Sequence, residues 1–328
     1  MYKVSILVPL YGVELYIEKC ARSLMEQSYE NCEFVFINDA SKDRSLERLK
    51  ECLAHFPQRA SQIKIVDLEV NGGVAAARNA ALDNATGEYC LFVDADDWVD
   101  SEIVERLLLH TIECDADICN AWCASVGANG EYTTTPMRWL SSPEKHLKAI
   151  LGQSHLVHNH VRGVLFRRSL FEENKLRFTP GVDFGEDYSL LPKLLYYSKR
   201  LTTLPFYLYF YRIENEGSYM NNIGERQIQQ YIAASKIVKD FVESLPTASL
   251  YRRSLEVGQL NIKKWIFKRK ADPKPYDELI FGELPPKIES PLLRLYNRAI
   301  NGGNPMVVTM MSVVVNLPIY LQRLASRL

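Results

Sequence analysis

Short apolar runs of strand length alternate with helical stretches through the first 120 residues, and only brief turns separate them. Strands joined through helices in this way lie parallel, because a parallel pair needs a crossover of a dozen residues or more between its members. Val4–Pro9 predicts a first strand, and Glu14–Gln27 a helix with Leu15, Cys20 and Leu24 among its apolar positions. Glu33–Asp39 and Ile63–Asp67 are the next strands, with a helix over Asp43–His55 between them. Gly72-Gly73 opens an Ala-rich helix over Val74–Asn84, and Thr86-Gly87 leads into the strand that ends at Asp94. A helix over Ser101–His110 and a strand over Ala116–Ala121 follow. The expectation is α/β: a doubly wound, mainly parallel sheet with a helical C-terminal extension.

The rhythm loosens beyond residue 122. Gly127–Thr135 reads as a hairpin or loop, Ser142–Gly152 as a short amphipathic helix, and Leu165–Leu170 and Leu204–Tyr211 as strands. A long helical region runs from Gly224 to about Lys270, with breaks at Asp272-Pro-Lys-Pro and Leu284-Pro-Pro.

Tyr89-Cys-Leu-Phe-Val-Asp94-Ala-Asp96-Asp97-Trp98 is an apolar run that ends abruptly in three carboxylates. Ligands of open α/β sheets sit beyond the carboxyl ends of the strands, where Asp94 and Asp96 must lie. Alternate carboxylates repel one another unless a cation or a donor network compensates them. Hard oxygen ligands select Mg²⁺ or Mn²⁺, ions that hold diphosphates through one or two protein carboxylates. The alternative is a strand end followed by helix caps, which accounts for Asp100 and leaves Asp94 and Asp96 over.

The net charge of −1 argues against nucleic acid as a partner. The seven cysteines form no Cys-x-x-Cys pair and read as small buried hydrophobes of a reducing cytosol. Met1 leads straight into strand, so no signal peptide is expected, and no run of eighteen apolar residues predicts a membrane span. His155, His158 and His160 have a spacing that suggests zinc, without the Cys pair or acidic partner that would support it.

Several motifs fall at the predicted strand ends in a fixed order. They are Val8-Pro9-Leu10-Tyr11, Asn38-Asp39-Ala40-Ser41, Ala76-Ala77-Arg78-Asn79, Asp94-Ala95-Asp96-Asp97, Phe166-Arg-Arg-Ser-Leu170, Gly185-Glu186-Asp187 and Tyr209-Phe-Tyr-Arg212. In this order and spacing, over roughly residues 3–215, the chain resembles the family 2 glycosyltransferases of the GT-A fold, which build bacterial polysaccharides from nucleotide sugars. The resemblance implies two regions: a nucleotide-sugar-binding and catalytic domain over 1–215, and a helical region over 216–328.

It further implies a nucleotide-binding set of Pro9, Tyr11, Glu14, Asp39, Arg78, Asp94 and Ala95. Tyr11 would offer a flat face to a pyrimidine and Asp39 would accept the imide N–H of uracil; a core Tyr and a turn-forming Asp are the alternatives. Asp43 reads better as a cap of the second helix. Arg78, near a helix N-terminus suited to anions, would contact the nucleotide or brace Asp94 or Asp96 in an ion pair, and the two roles are compatible. Asp96, with Asp94, would hold Mn²⁺ or Mg²⁺, Asp97 being a third candidate. Asp187 would take the proton from the attacking hydroxyl, with Glu186 orienting it; the alternative for Asp187 is helix capping. Relatives often carry Trp and Lys just before the Phe-Arg-Arg segment, where this chain has Arg162 and Val164.

The expected activity is inverting, metal-dependent transfer of a hexose from a UDP-sugar to a hydroxyl of a glycan or lipid-linked glycan, in the cytoplasm or at the inner face of the membrane. A nucleotide-binding relative without catalysis is one alternative. A sugar-nucleotide nucleotidyltransferase is another, although Tyr11-Gly-Val-Glu14 lacks the basic, Gly-rich loop it wants. A phospho-receiver-like module built on Asp39 would need an acidic pair after the first strand, and Pro9-Leu10-Tyr11 supplies none. Lys263–Lys270 and Met306–Leu321, followed by Arg323 and Arg327, read either as helices lying on an anionic membrane or as a helical cap or homodimer face.

Overall fold

The computed structural model describes residues 2–127, 129–134, 139–140, 142–153, 157–213, 223–269, 274–282 and 288–325. Outside them lie His155, Lys270, Asp272-Pro273, Leu284-Pro-Pro286 and Arg327, together with Ala128, Thr135 and the expected boundary at 215–216.

In chain order, the first elements are β1 (Val4–Leu10), α1 (Ile17–Met25), β2 (Cys32–Asn38), α2 (Ser45–Leu53), β3 (Ile63–Asp67), α3 (Gly73–Asp83) and β4 (Tyr89–Phe92). β5 (Trp98–Val99), α4 (Ile103–Glu113), β6 (Ile118–Val126), β7 (Tyr132–Thr134) and α5 (Pro143–Leu151) follow. Then come β8 (Val164–Arg167), α6 (Ser169–Glu173), α7 (Glu186–Tyr197), β9 (Leu201–Arg212), α8 (Glu225–Glu243) and α9 (Arg252–Phe267). The last are α10 (Asp277–Phe281), α11 (Pro291–Gly302) and α12 (Pro305–Ala325).

The α/β expectation holds. Among the described residues the strands form one sheet in the order β3-β2-β1-β4-β8-β6-β9-β5, with β7 paired to β6. It is parallel from β3 through β4, and β8 enters antiparallel to both β4 and β6. β1 is buried at all seven residues because it has a parallel neighbour on either side and helices over the sheet. Pro9 is tolerated in this central strand for a geometric reason. Its ring nitrogen faces the β4 side, where pairing has already stopped at Leu7 opposite Phe92. The expected hairpin is the β6–β7 pair, closed by the Gly127 N–H to the Glu131 carbonyl (3.0 Å).

α1 buries Ile17, Cys20, Ala21 and Leu24, the spacing of one helical face. Leu15, expected among its apolar positions, lies ahead of the helix and is 74% exposed. α3 lies close on β1 and β2 because Ala75, Ala77 and Ala81 face inward.

Two compact units divide the chain, and the division is not a single cut. One consists of Met1–Trp139, His160–Asp183 and Tyr197–Asn222; the other of Leu140–Asn159, Phe184–Tyr196 and Ile223–Leu328. α5 belongs with the second because it packs on α9 so tightly that a Cβ on Gly258 would overlap the Leu151 carbonyl oxygen. The long helical region after Gly224 is two helices, parted by a turn that holds Pro246, since the residue before a proline is pushed out of helical geometry. In the same unit Lys263 is buried and paired with Asp277, and Lys264 donates to Ser312 (2.7 Å). Asn316 accepts from Asn261 (3.2 Å). Ser312 and Asn316, polar residues within Met306–Leu321, thus dock α12 on α9. Met306, Met310, Val313 and Val314 are exposed.

Glu33, at the start of β2, gathers Lys3 (2.6 Å), Ser5 Oγ (2.5 Å) and the Thr86 N–H (2.5 Å), binding three strand entries together. Burial alone would raise its carboxyl, but the hydrogen bonds from Lys3, Ser5 and Thr86 outweigh it and hold the group at about 2. A lowered folded-state value means the stabilisation is complete above the ordinary carboxylate range and is lost as pH falls through about 2. Glu33→Gln is expected to cost roughly 1–3 kcal/mol at pH 7. Its melting temperature should converge on that of the wild type toward pH 2; a pH-independent difference in thermal denaturation contradicts the assignment.

Candidate active site

The parallel strands β1, β2 and β4 all end at one edge of the sheet, and the chain turns there carry the candidate residues. After β1 the chain bends at Tyr11, 49% exposed, and at Gly12, whose φ is +65°. Glu14 and Asp43 lock this bend to the turn after β2. The Glu14 N–H donates to Asp43 (3.1 Å), and Glu14 Oε2 accepts the Arg44 N–H (2.9 Å). Asp43 also accepts from the N–H and hydroxyl of Ser45, which is the capping role expected of it.

Asp39, at the end of β2, is buried. Its two carboxylate oxygens accept the N–H groups of Gly72 (2.8 Å) and Gly73 (2.9 Å), the entry to α3. Burial pushes its carboxyl up, these two donors pull it down, and Asp183 nearby pushes it up again; the net is above its ordinary value. Asp183 accepts the Ala75 N–H (3.2 Å). The α3 N-terminus, expected to attract a ligand anion, is thus occupied by two carboxylates of the chain itself. This corrects the anion-site expectation: the orphan donors of a helix end bind whichever oxygens reach them, and Asp39 and Asp183 do.

Arg78 is buried one turn into α3 and donates to Asp94 Oδ1 (2.9 Å), its guanidinium 5.4 Å from the Phe178 ring centre. Of the two compatible roles expected of it, this is the bracing one. Asp94 and Asp96 remain partly exposed, whereas Asp97 is buried. Asp97 turns inward and accepts from the Tyr209 hydroxyl (2.7 Å) and the Arg212 N–H (2.9 Å). Burial first, and then Asp96 and Asp94, push its carboxyl well above the ordinary range, with Arg162 and the Arg212 N–H opposing. The Tyr209 hydroxyl also accepts the Asp94 N–H (3.1 Å), and Arg212 Nε donates to the Asp96 carbonyl (3.0 Å). Ala95 is buried between the two presented carboxylates. Asp100 accepts the Glu102 N–H (2.9 Å) at the approach to α4, as expected of a cap.

Arg162 lies beside the end of β4, bridged to Phe92, with its charge acting on Asp94 and Asp97 and its guanidinium 4.2 Å from the Tyr211 ring centre. Sequence alone marks Arg162 as a departure from relatives and does not single out Tyr209 or Asp183. The signal available for Tyr209 is its place at the head of Tyr209-Phe-Tyr-Arg212.

Glu186 and Asp187 form the first turn of α7 in the second unit, preceded by Gly185 at φ +90° with the Tyr231 ring against its Cα. Acidic residues there suit the positive end of the helix. His158 is buried in the second unit, its carbonyl 2.7 Å from His146 Nε2, and His160 Nδ1 is 3.2 Å from the Arg162 carbonyl in the first. Among the described residues no three His, Cys, Asp or Glu side chains are grouped to hold a metal by themselves. Two partly exposed carboxylates on one turn nevertheless fit Mg²⁺ or Mn²⁺, which take the rest of their oxygens from phosphates and water.

A family model described as glycosyl transferase family 2 matches residues 5–174. Over 233 residues the chain is 34% identical to glycosyltransferase GlyA of Streptococcus pneumoniae, covering 64% of this chain and 30% of that relative. Two further bacterial relatives, 32% and 30% identical, are covered over 62% and 33% of their lengths, so the chain spans less than two thirds of each of these three. Among solved structures it is similar to Staphylococcus aureus TarS 1–349 in complex with UDP-GlcNAc. The TM-score is 0.66 at 20% identity, over 94% of this chain and 90% of that one. It is also similar to a mannosyltransferase of Pyrobaculum calidifontis in complex with GDP-Man and Mn²⁺. There the TM-score is 0.56 at 16% identity, over 98% and 87%. At these identities the structural likeness shows the GT-A fold.

The α3 entry yields a stability comparison. A Cβ on Gly73, at φ +83°, would lie 2.3 Å from the Asp183 carboxylate, while one on Gly12, at φ +65°, meets nothing within 4 Å. Gly12→Ala is expected to cost about 1–2 kcal/mol, the left-handed penalty alone. Gly73→Ala should cost clearly more, by displacing Asp183 as well; equal losses in denaturant melts would refute the packing argument.

Proposed function

The chain belongs to glycosyl transferase family 2, and on that premise we propose that it is an inverting, metal-dependent hexosyltransferase of bacterial polysaccharide biosynthesis, with a UDP-sugar as donor. The observation that supports this best is the acidic turn after β4: two carboxylates held at the C-terminal edge of parallel strands, with Arg78 fixed against the first.

In this reading Tyr11, exposed beside the end of β1, stacks on the base, and Asp39 accepts the uracil imide N–H with lone pairs that Gly72 and Gly73 leave over. Pro9, Glu14 and Ala95 shape the pocket through the backbone turns they fix. Arg78 holds Asp94 toward the ribose and diphosphate. Asp96, with Asp94, would hold Mn²⁺ or Mg²⁺; that ion would neutralise the departing nucleoside diphosphate.

Asp187 is assigned the base on residue type and motif. It takes the proton from the acceptor hydroxyl as the oxygen attacks the anomeric carbon on the face opposite the leaving diphosphate, so the configuration inverts. Glu186 orients Asp187 or meets acceptor hydroxyls. The acceptor is a glycan, free or lipid-linked, and the place of work the cytoplasm or the inner face of the membrane. No helix among the described residues is long and apolar enough to cross a membrane. A face of α12 that meets lipid or a second copy belongs to the proposal as well.

Thermal melts with UDP and Mn²⁺ test the donor site. A hundredfold excess over Kd stabilises by about 2.7 kcal/mol, and that shift should vanish in Asp96→Ala. A shift with GDP or CMP in place of UDP would overturn the donor. Asp187→Asn should keep the UDP shift and lower turnover roughly 10²–10⁴-fold. Undiminished transfer removes Asp187 from the mechanism. A wild type that binds UDP and transfers nothing favours a non-catalytic relative.

A further inference from the structure

We propose that Tyr209 is a positioning residue, whose buried hydroxyl sets the geometry in which the turn after β4 presents Asp94 and Asp96. The inference rests on reading those two carboxylates as the donor and metal pair, and it goes further by naming what holds them.

The turn itself contributes one tight hydrogen bond, from the Asp97 N–H to the Asp94 carbonyl (3.0 Å). Beside the Arg78 guanidinium on Asp94, further restraints come from β9, more than 110 residues later. Tyr209 is fully buried, and its hydroxyl makes two bonds of opposite sense. It accepts the Asp94 N–H (3.1 Å) and donates to Asp97 Oδ2 (2.7 Å), so that one atom fixes the first and last acidic residues of the turn. Arg212, three residues on, fixes the middle through the Asp96 carbonyl (3.0 Å).

The ring is held in its turn. Gly163, at φ +66°, lies so near that a Cβ would come within 3.0–3.2 Å of the Tyr209 side chain. The Gly163 N–H is itself tied to the Phe92 carbonyl at the end of β4 (3.1 Å). Asp97, bonded by Tyr209 and by the Arg212 N–H, is thereby committed inward and withheld from the presented pair. A carboxylate pair serves an ion only when held to within a fraction of an ångström, which makes a rigid hydroxyl at this place a determinant of affinity.

Tyr209→Phe keeps the ring and removes both bonds. Mn²⁺ is titrated in the presence of UDP and followed by thermal shift, with metal-activated transfer measured in parallel. The variant is expected to fold, to melt a few degrees lower without ligand, and to need at least tenfold more Mn²⁺ for half saturation. Asp97→Asn, which keeps an oxygen for the Tyr209 hydroxyl, should show a smaller loss, and it carries the test should Tyr209→Phe not fold. A lowered melting temperature with unchanged Mn²⁺ and UDP affinity in these variants makes Tyr209 merely structural and overturns the proposal. If the wild type itself takes up no UDP, or takes it up without regard to Mn²⁺, the donor reading fails before any variant is compared, and the proposal falls with it.

Discussion

Three carboxylates within four residues at the end of a buried strand are an electrostatic cost that the surrounding chain is built to offset. Asp94 is paired with Arg78, Asp97 is turned inward to Tyr209 and the Arg212 N–H, and Arg162 stands beside both. These partners come from α3, from the segment before β8 and from β9, so the compensation also fixes how those parts of the chain meet the end of β4. A charged pair this poorly hydrated is worth little unless its geometry is good, and strongly destabilising when one partner is removed. The acidic turn thus disciplines the packing of the unit that contains it.

The entry to α3 follows the same logic with the opposite sign. Its unpaired N–H groups are satisfied by Asp39 and Asp183, which tie the end of β2 and the segment before α7 to one helix end. Negative charge from a ligand must therefore be met by cationic side chains or a bound ion.

The parallel half of the sheet was legible because its signals are local. Period, turn glycines and capping residues placed β1 to β4 and the helices between them within a few residues, and the motif order marked the acidic turn and Asp39. What sequence could not show was set by distant partners. Asp183 reaches Ala75 across 108 residues, and nothing near either residue announces it. Leu15 is apolar and yet exposed, because α1 begins two residues later. Ser312 and Asn316 look like breaks in an apolar helix until their partners on α9 are known. The unit boundaries were hidden for the same reason: α5 and α7 carry ordinary amphipathic patterns, and a pattern states that a face is buried without stating against what.

The bond between Tyr209 and the turn after β4 has a consequence for the way the chain comes off the ribosome. β1 to β4 emerge with their helices and can pair at once, since their contacts are close in sequence. The acidic turn waits for more than a hundred further residues before β9 arrives to neutralise it. Contacts of such long range are the slow ones in folding. A chain cut short before residue 209 would lack the Tyr209 hydroxyl and the Arg212 N–H to which Asp97 turns.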